Sequence, residues 1–330
     1  MFYKSEKYIF RLLKKSNSLR RYNFYGSGDY FDFIFLCGKA ISDNDNRHFI
    51  KSQLERYKKF SLFSEYLYKE FDETSLDLLT IEDILLSVCA ATILIVESYG
   101  SACELGAFSF ITKNIKKLWV INNKAYKRNE SFIENGPLKK IAGSNSEHVI
   151  YEDFKDDTII YSGNSYRMFK TVGREGGFSS ELYEYIDKTK VLRLKDLGFI
   201  LCLLFDYVRL FGLIIENHVI EVLEVLFSKF DIERFEIKLP SSDFITDEKV
   251  VKTIVSKMLV ILKKADVLVE KKCKKDIYYT LNFETMKKMD KNPNEFESFI
   301  FLSKHYNGAT LRKEFAKISN MEIKEEFKIW

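Results

Sequence analysis

The stretch Thr92-Ile93-Leu94-Ile95-Val96-Glu97-Ser98-Tyr99-Gly100-Ser101-Ala102-Cys103-Glu104-Leu105-Gly106-Ala107-Phe108 decides how this chain is read. Five apolar or β-branched residues run into two glutamates separated by a small-residue turn. The pattern predicts a strand over 92–96 with Glu97 at its carboxyl end. A helix is predicted over 101–112, with Glu104 on about its first turn. In an open parallel sheet, ligands sit outside the carboxyl ends of the strands. Two carboxylates converging there point to work on a substrate.

Outward from that stretch, residues 31–38 read as a buried first strand stopped by Gly38. A continuous apolar run suits a strand covered on both faces. Residues 43–60 are polar, rich in Lys and Arg, and helical in pattern. A helix is expected over 78–89, with Thr80 as N-cap and Asp83 three residues on. Further strands are expected at 117–122 and near 149–151. Strands alternating with helices predict an α/β domain built on a parallel sheet.

The less regular 123–180 region holds the expected boundary. It divides the chain into a basic helical arm (1–30), an α/β catalytic domain (31–165) and a mainly helical domain (166–330). In the last, helices are expected at 194–212, 216–230 and 247–264. A strand, a Lys-rich turn and a second strand then reach residue 281, the order of a winged helix. Lys263, Lys264, Lys271, Lys272, Lys274 and Lys275 cluster there beside Tyr278 and Tyr279, a pattern able to track a phosphate backbone. The tail 295–330 reads as two amphipathic helices, a docking or oligomerisation surface.

The balance of 52 basic and 48 acidic residues leaves a net charge of +4, too small to imply a polyanion partner, so local clusters carry that argument. Cys37, Cys89, Cys103, Cys202 and Cys273 form no CxxC pair, and the histidines are isolated. That excludes a disulfide framework and a zinc site and calls for no cofactor. Cys103 reads as a packing residue, because no histidine lies near it in sequence. The charged start lacks a signal-peptide core, so a cytoplasmic location is expected. Residues 197–215 are long enough to span a bilayer. Asp206 and Arg209 within them would each cost roughly 2.5–3.5 kcal/mol there. A buried helix is therefore preferred to a span.

Phe35-Leu36-Cys37-Gly38 and Gly100-Ser101-Ala102-Cys103-Glu104-Leu105-Gly106 resemble two signals of the nucleoside deoxyribosyltransferase family. Glu97 through Ser109, with Ser131-Phe132-Ile133 and Gly136-Pro137, is similar to one branch of it, the retron-encoded effectors. Those are toxins held in check by a reverse transcriptase and its DNA–RNA product. The likeness covers roughly residues 30–140. It implies a Rossmann- or flavodoxin-like deoxyribosyltransferase domain with Glu104 as nucleophile and an acid addressing the base at Glu82 or Asp83. Glu97 replaces the family's nearby aspartate, either binding sugar hydroxyls or serving as an acid–base partner.

Lys39 stands where the family has proline. It is either a solvated lysine or a ligand for a phosphorylated substrate such as NAD or a nucleotide. The resemblance further implies a second domain that recognises the retron DNA and reverse transcriptase.

The chemistry agrees. Cleaving an N-glycosidic bond passes through an oxocarbenium-like state that a carboxylate can stabilise or attack. The helix start would favour ionised Glu104. Gly38, Ser98, Gly100, Ser101 and local N–H groups could shape a cradle for sugar or phosphate oxygens. The expected function is an antiphage retron toxin acting as an N-glycosidase. The alternative is a non-enzymatic nucleotide sensor or DNA-binding regulator on the same fold.

Overall fold

The computed structural model describes residues 33–39, 45–65, 78–110, 115–127, 130–173, 247–273 and 276–288, with short pieces between 191 and 235. The expected arm at 1–30, most of the helices expected at 194–212 and 216–230, the tail at 295–330, Lys274 and Lys275 lie outside the described residues. The chain divides into two compact units. Tyr30–Gly177 forms one, and the described residues beyond Phe178 belong to the other.

In the first unit, β1 (Phe33–Cys37), β2 (Phe60–Phe63), β3 (Ala91–Ile95), β4 (Leu118–Asn123), β5 (Val149–Lys155) and β6 (Thr158–Ile160) form one sheet. Its order is β2-β1-β3-β4-β5-β6. The first five strands pair in parallel, and β6 returns antiparallel to β5. Every residue of β1, β2 and β3 is buried, as strands covered on both faces require. The expected α/β class is therefore present as a mostly parallel sheet.

β2 was not foreseen: Phe-Ser-Leu-Phe is too short to show a period of its own. Its position beside β1 moves the strand order from one side of the sheet to the other between β1 and β3. Ligands in such sheets lie at that reversal, outside the carboxyl ends of the strands.

On one face, α1 (Asn46–Arg56) and α5 (Gly163–Thr171) lay Ile50, Leu54, Met168 and Phe169 against Ile34, Leu36, Ile93, Ile95 and Ile121. α3 (Tyr99–Phe110) buries Leu105 and Phe108, with the Phe108 ring 6.3 Å from that of Phe35. α2 (Leu78–Val88) precedes β3, and α4 (Lys139–Ser144) precedes β5.

Caps set the helix starts. Asp45 accepts from His48 N at 2.9 Å, and Ser162 accepts from Asn164 N at 3.3 Å. Glu152, buried, accepts from Ser162 and Ser165 and anchors the start of α5. Thr80 lies within α2 (Leu78–Val88) rather than at the expected N-cap.

The second unit contains α6 (Asp247–Lys264), the antiparallel hairpin β10 (Leu268–Cys273) and β11 (Asp276–Leu281), and α7 (Phe283–Lys288). The short strand β8 (Ile214–Ile215) pairs with β11, while β7 (Val191–Leu192) pairs with β9 (Arg234–Phe235). A helix and two strands thus follow in the expected order. No helix among the described residues is long and apolar enough to cross a membrane.

Candidate active site

Three strand ends and three helices bring the chemistry-bearing residues together at the carboxyl edge of β1 and β3. β1 is followed at once by Gly38, whose φ of +154° is a conformation that favours glycine. A Cβ there would lie 2.8 Å from Glu97 Oε1 and 3.4 Å from Arg47 Cδ. Glycine lets the chain pass between those two side chains.

Glu97, just past β3, has both oxygens held. Lys39 N donates to Oε1 at 2.9 Å, and Asn46 Nδ2 donates to Oε2 at 2.8 Å. Burial raises the Glu97 pKa, opposed by those two hydrogen bonds. The same Asn46 amide donates to Asp157 O at 2.8 Å and accepts from Ile159 N at 3.0 Å. Asp156 and Asp157 form the β5–β6 turn at φ of 49° and 61°, the two positive φ values a two-residue hairpin turn needs. Asn46 therefore ties that hairpin to Glu97. Lys39 Nζ meets Asp157 Oδ2 at 3.1 Å, an ion pair at the surface.

Replacing Asn46 with Asp removes both donated bonds and sets a carboxylate beside Glu97. The variant should lose about 2–4 kcal/mol of stability, more at pH 8 than at pH 5. Thermal melts across that range check it.

Glu104 lies on the second turn of α3, since the helix starts at Tyr99, two residues before the expected start. Its partner is not Glu97. The carboxyl facing it is that of buried Glu82 of α2. Burial first, then the Glu82 and Glu65 carboxylates, push its pKa up to about 8, while Arg47 pulls it down. The expectation that the helix start keeps Glu104 ionised is thus corrected. Desolvation and a like-charged neighbour outweigh the helix dipole. Glu104 therefore holds its proton through neutral pH. Beneath them Cys37 is buried, and desolvation with Glu104 and Glu82 raises its thiol pKa well above the usual value.

Ser98 and Ser101 turn toward each other. Ser101 Oγ accepts from Glu97 N at 3.0 Å and Ser98 N at 2.9 Å, and Ser98 Oγ accepts from Ser101 N at 3.1 Å. These hydroxyls build the strand-to-helix turn that aims Glu97 and Glu104. Gly100 and Gly106 lie within α3 with room for a side chain.

Residue-by-residue reading missed Arg47 and Glu65. Arg47 is 5% exposed and donates through Nη1 to Glu65 Oε1 at 2.7 Å, with its guanidinium 5.0 Å above the Phe63 ring. The available signal was the polar run Asp43–Arg47, which begins five residues after the first strand's glycine.

In the second unit, Lys263 is paired with Glu270 at 2.9 Å, while Lys271 and Lys272 stand exposed on β10. Lys264 is partly buried at the end of α6. Tyr278 and Tyr279, expected beside the basic turn, are buried, because β11 is the middle strand of its sheet.

Fold and site together define an α/β protein with a carboxyl-rich site at the sheet's switch point. The chain belongs to the STM3845 retron effector protein family, whose model matches residues 43–270. It is 36% identical over 138 residues to an Escherichia coli retron Ec73 protein, named for a proposed ribosyltransferase and DNA-binding role. That match covers 39% of this chain and 43% of the relative. A retron Ec86 protein of Escherichia coli, named in the same way, is 32% identical over 136 residues, 40% of this chain and 44% of its own length. The matched part of the chain thus spans less than half the length of each curated relative.

Proposed function

We propose that this retron effector is an antiphage toxin whose first unit cleaves the N-glycosidic bond of NAD or a nucleotide. In this reading the domain is deoxyribosyltransferase-like. The observation that carries it is the Glu82–Glu104 carboxyl pair at the β1–β3 switch point, with Arg47 and Glu65 beside it. Glu104 acts in its ionised form under the anomeric carbon. As the bond from that carbon to the base nitrogen breaks, its electron pair leaves with the base. Glu104 either stabilises the resulting cation or bonds to it, and water completes hydrolysis. Glu97, fixed by Asn46 and the Lys39 amide, is placed to hold sugar hydroxyls. Lys39 could meet a substrate phosphate by exchanging its Asp157 partner.

The test is incubation of the purified protein with NAD and common nucleotides, with free base followed by chromatography. Release of base supports the reading, and intact substrates throughout refute it.

The second unit is proposed to contact nucleic acid, the retron's multicopy single-stranded DNA–RNA, through its basic hairpin. In this reading the reverse transcriptase and its product hold the toxin inactive. The names of the two relatives support a DNA-binding role. Replacing exposed Lys271 and Lys272 with Glu should weaken binding and flatten its salt dependence by about 0.7–0.9 log units for each phosphate no longer neutralised. A salt-titrated anisotropy assay reads this. Replacing Lys263, already paired with Glu270, should change the slope less.

A further inference from the structure

Among the described residues, three buried polar atoms at the site have no hydrogen-bond partner: Arg47 Nε, Glu65 Oε2 and Glu104 Oε2. A buried donor or acceptor left unmet costs about 1–3 kcal/mol. Several together need a reason. Arg47 cannot turn away to find water, since its guanidinium is held by Glu65 Oε1 at 2.7 Å and lies over Phe63, with Asp45 Oδ2 at 3.5 Å from Nη2. Its stem is pinned against Gly38. The donor is therefore aimed before anything binds. Glu104 feels both partners, Glu65 as a repelling charge and Arg47 as an attracting one, so the three belong to one electrostatic neighbourhood.

The geometry points to a recognition subsite in which Arg47 and Glu65 together read the base of the nucleotide whose sugar faces Glu104. This inference rests on the glycosidase reading and adds what the site selects. A guanidinium N–H only donates, and an ionised carboxylate only accepts. The complementary ligand edge carries an acceptor for Arg47 Nε next to an N–H donor for Glu65 Oε2. That is an amide- or amidine-type edge. Two sources present it: the carboxamide of a pyridine nucleotide, and the amino edge of adenine. A carboxylate in the same place offers only acceptors and brings a second negative charge against Glu65. A purine without its amino group offers only the acceptor.

The experiment has two arms, both on the full chain. Binding is measured by calorimetry in the Glu104→Gln background, so that nothing is turned over, and base release is measured with Glu104 intact. One arm compares NAD with its deamidated form, which carries a pyridine carboxylate. The other compares AMP with the purine ribonucleotide that lacks the amino group. The subsite predicts at least about tenfold tighter binding of the first member in one arm, and that arm identifies the source.

Glu65→Gln removes the charge and supplies a donor, so the preference should collapse to within about twofold. Arg47→Lys keeps a charge but loses the aimed Nε–H, and should raise KM about tenfold, with a smaller change in kcat. Preference in neither arm, or preference that survives both substitutions, overturns the subsite while leaving base release to stand by itself. Preference that collapses in Glu65→Gln without base release from any compound sinks the glycosidase reading and keeps the subsite.

Discussion

Replacing Glu104 with Gln should cut base release by on the order of 10³-fold or more, the scale seen when a residue central to covalent catalysis is lost. The folded protein should persist, because the change is isosteric and removes a buried carboxyl rather than a packing group. Its pH signature separates it from a structural lesion. Glu104 titrates near 8 when folded, against an ordinary value of 4.5. The folded state holds this proton more tightly than the unfolded chain. The contribution to stability is therefore full below about pH 4 and declines as pH rises. It is gone above about 8. The Gln variant has no such loss, so its melting temperature relative to the parent should climb between pH 5 and 9.

Base release by the parent, as kcat/KM, should rise toward pH 8, where the free enzyme's Glu104 ionises. A non-enzymatic sensor would lose little binding on the same substitution and show no base release to begin with. Melting curves across pH and a kcat/KM profile check both halves.

Replacing Gly38 with Ala should do broader damage. The new methyl would stand 2.8 Å from Glu97 Oε1 on a backbone at φ +154°, and neither can relax cheaply. Glu97 is fixed by two hydrogen bonds, and Arg47 closes the other side at 3.4 Å. Backbone strain and the displaced carboxylate together should cost about 2–4 kcal/mol, or roughly 5–10 °C in melting temperature. Base release should fall about a hundredfold or more, since Glu97 moves with the Lys39 amide and the Asn46 side chain. Glu97→Gln is the discriminating companion. It should share much of the activity loss while melting within a few degrees of the parent. If Gly38→Ala melted like the parent and released base at its rate, the close packing of β1 against Glu97 would carry no functional weight.

Much of the first unit was legible from local signals. The apolar runs at β1, β3 and β4 are continuous, so each strand could be placed within two residues, as could the helix after β3, whereas the helix expected over 43–60 runs only from Asn46 to Arg56. Ser98 and Ser101, three apart, mark the start of α3 because a hydroxyl at that spacing meets the first free N–H groups of a helix. β2 escaped because four residues cannot display a period, and Thr80 misled because a good cap residue two positions inside a helix looks the same in sequence.

Local chemistry also named Glu97 and Glu104 as the acids of interest, since each is tied to a strand end or a helix start that a run of residues can reveal, while the family resemblance added Glu82 or Asp83. Which acid faces which partner was decided only by the sheet. Glu97 is held by Asn46, 51 residues away, and by the Lys39 amide, 58 away, because β1 and β3 lie side by side. Glu104 meets Glu82 rather than Glu97, because α2 and α3 flank the same strand, and a carboxyl shut away from water with another carboxyl keeps its proton. Hydrogen bonds and desolvation act over a few ångströms of space, and sequence neighbourhood says little about which groups come within that reach.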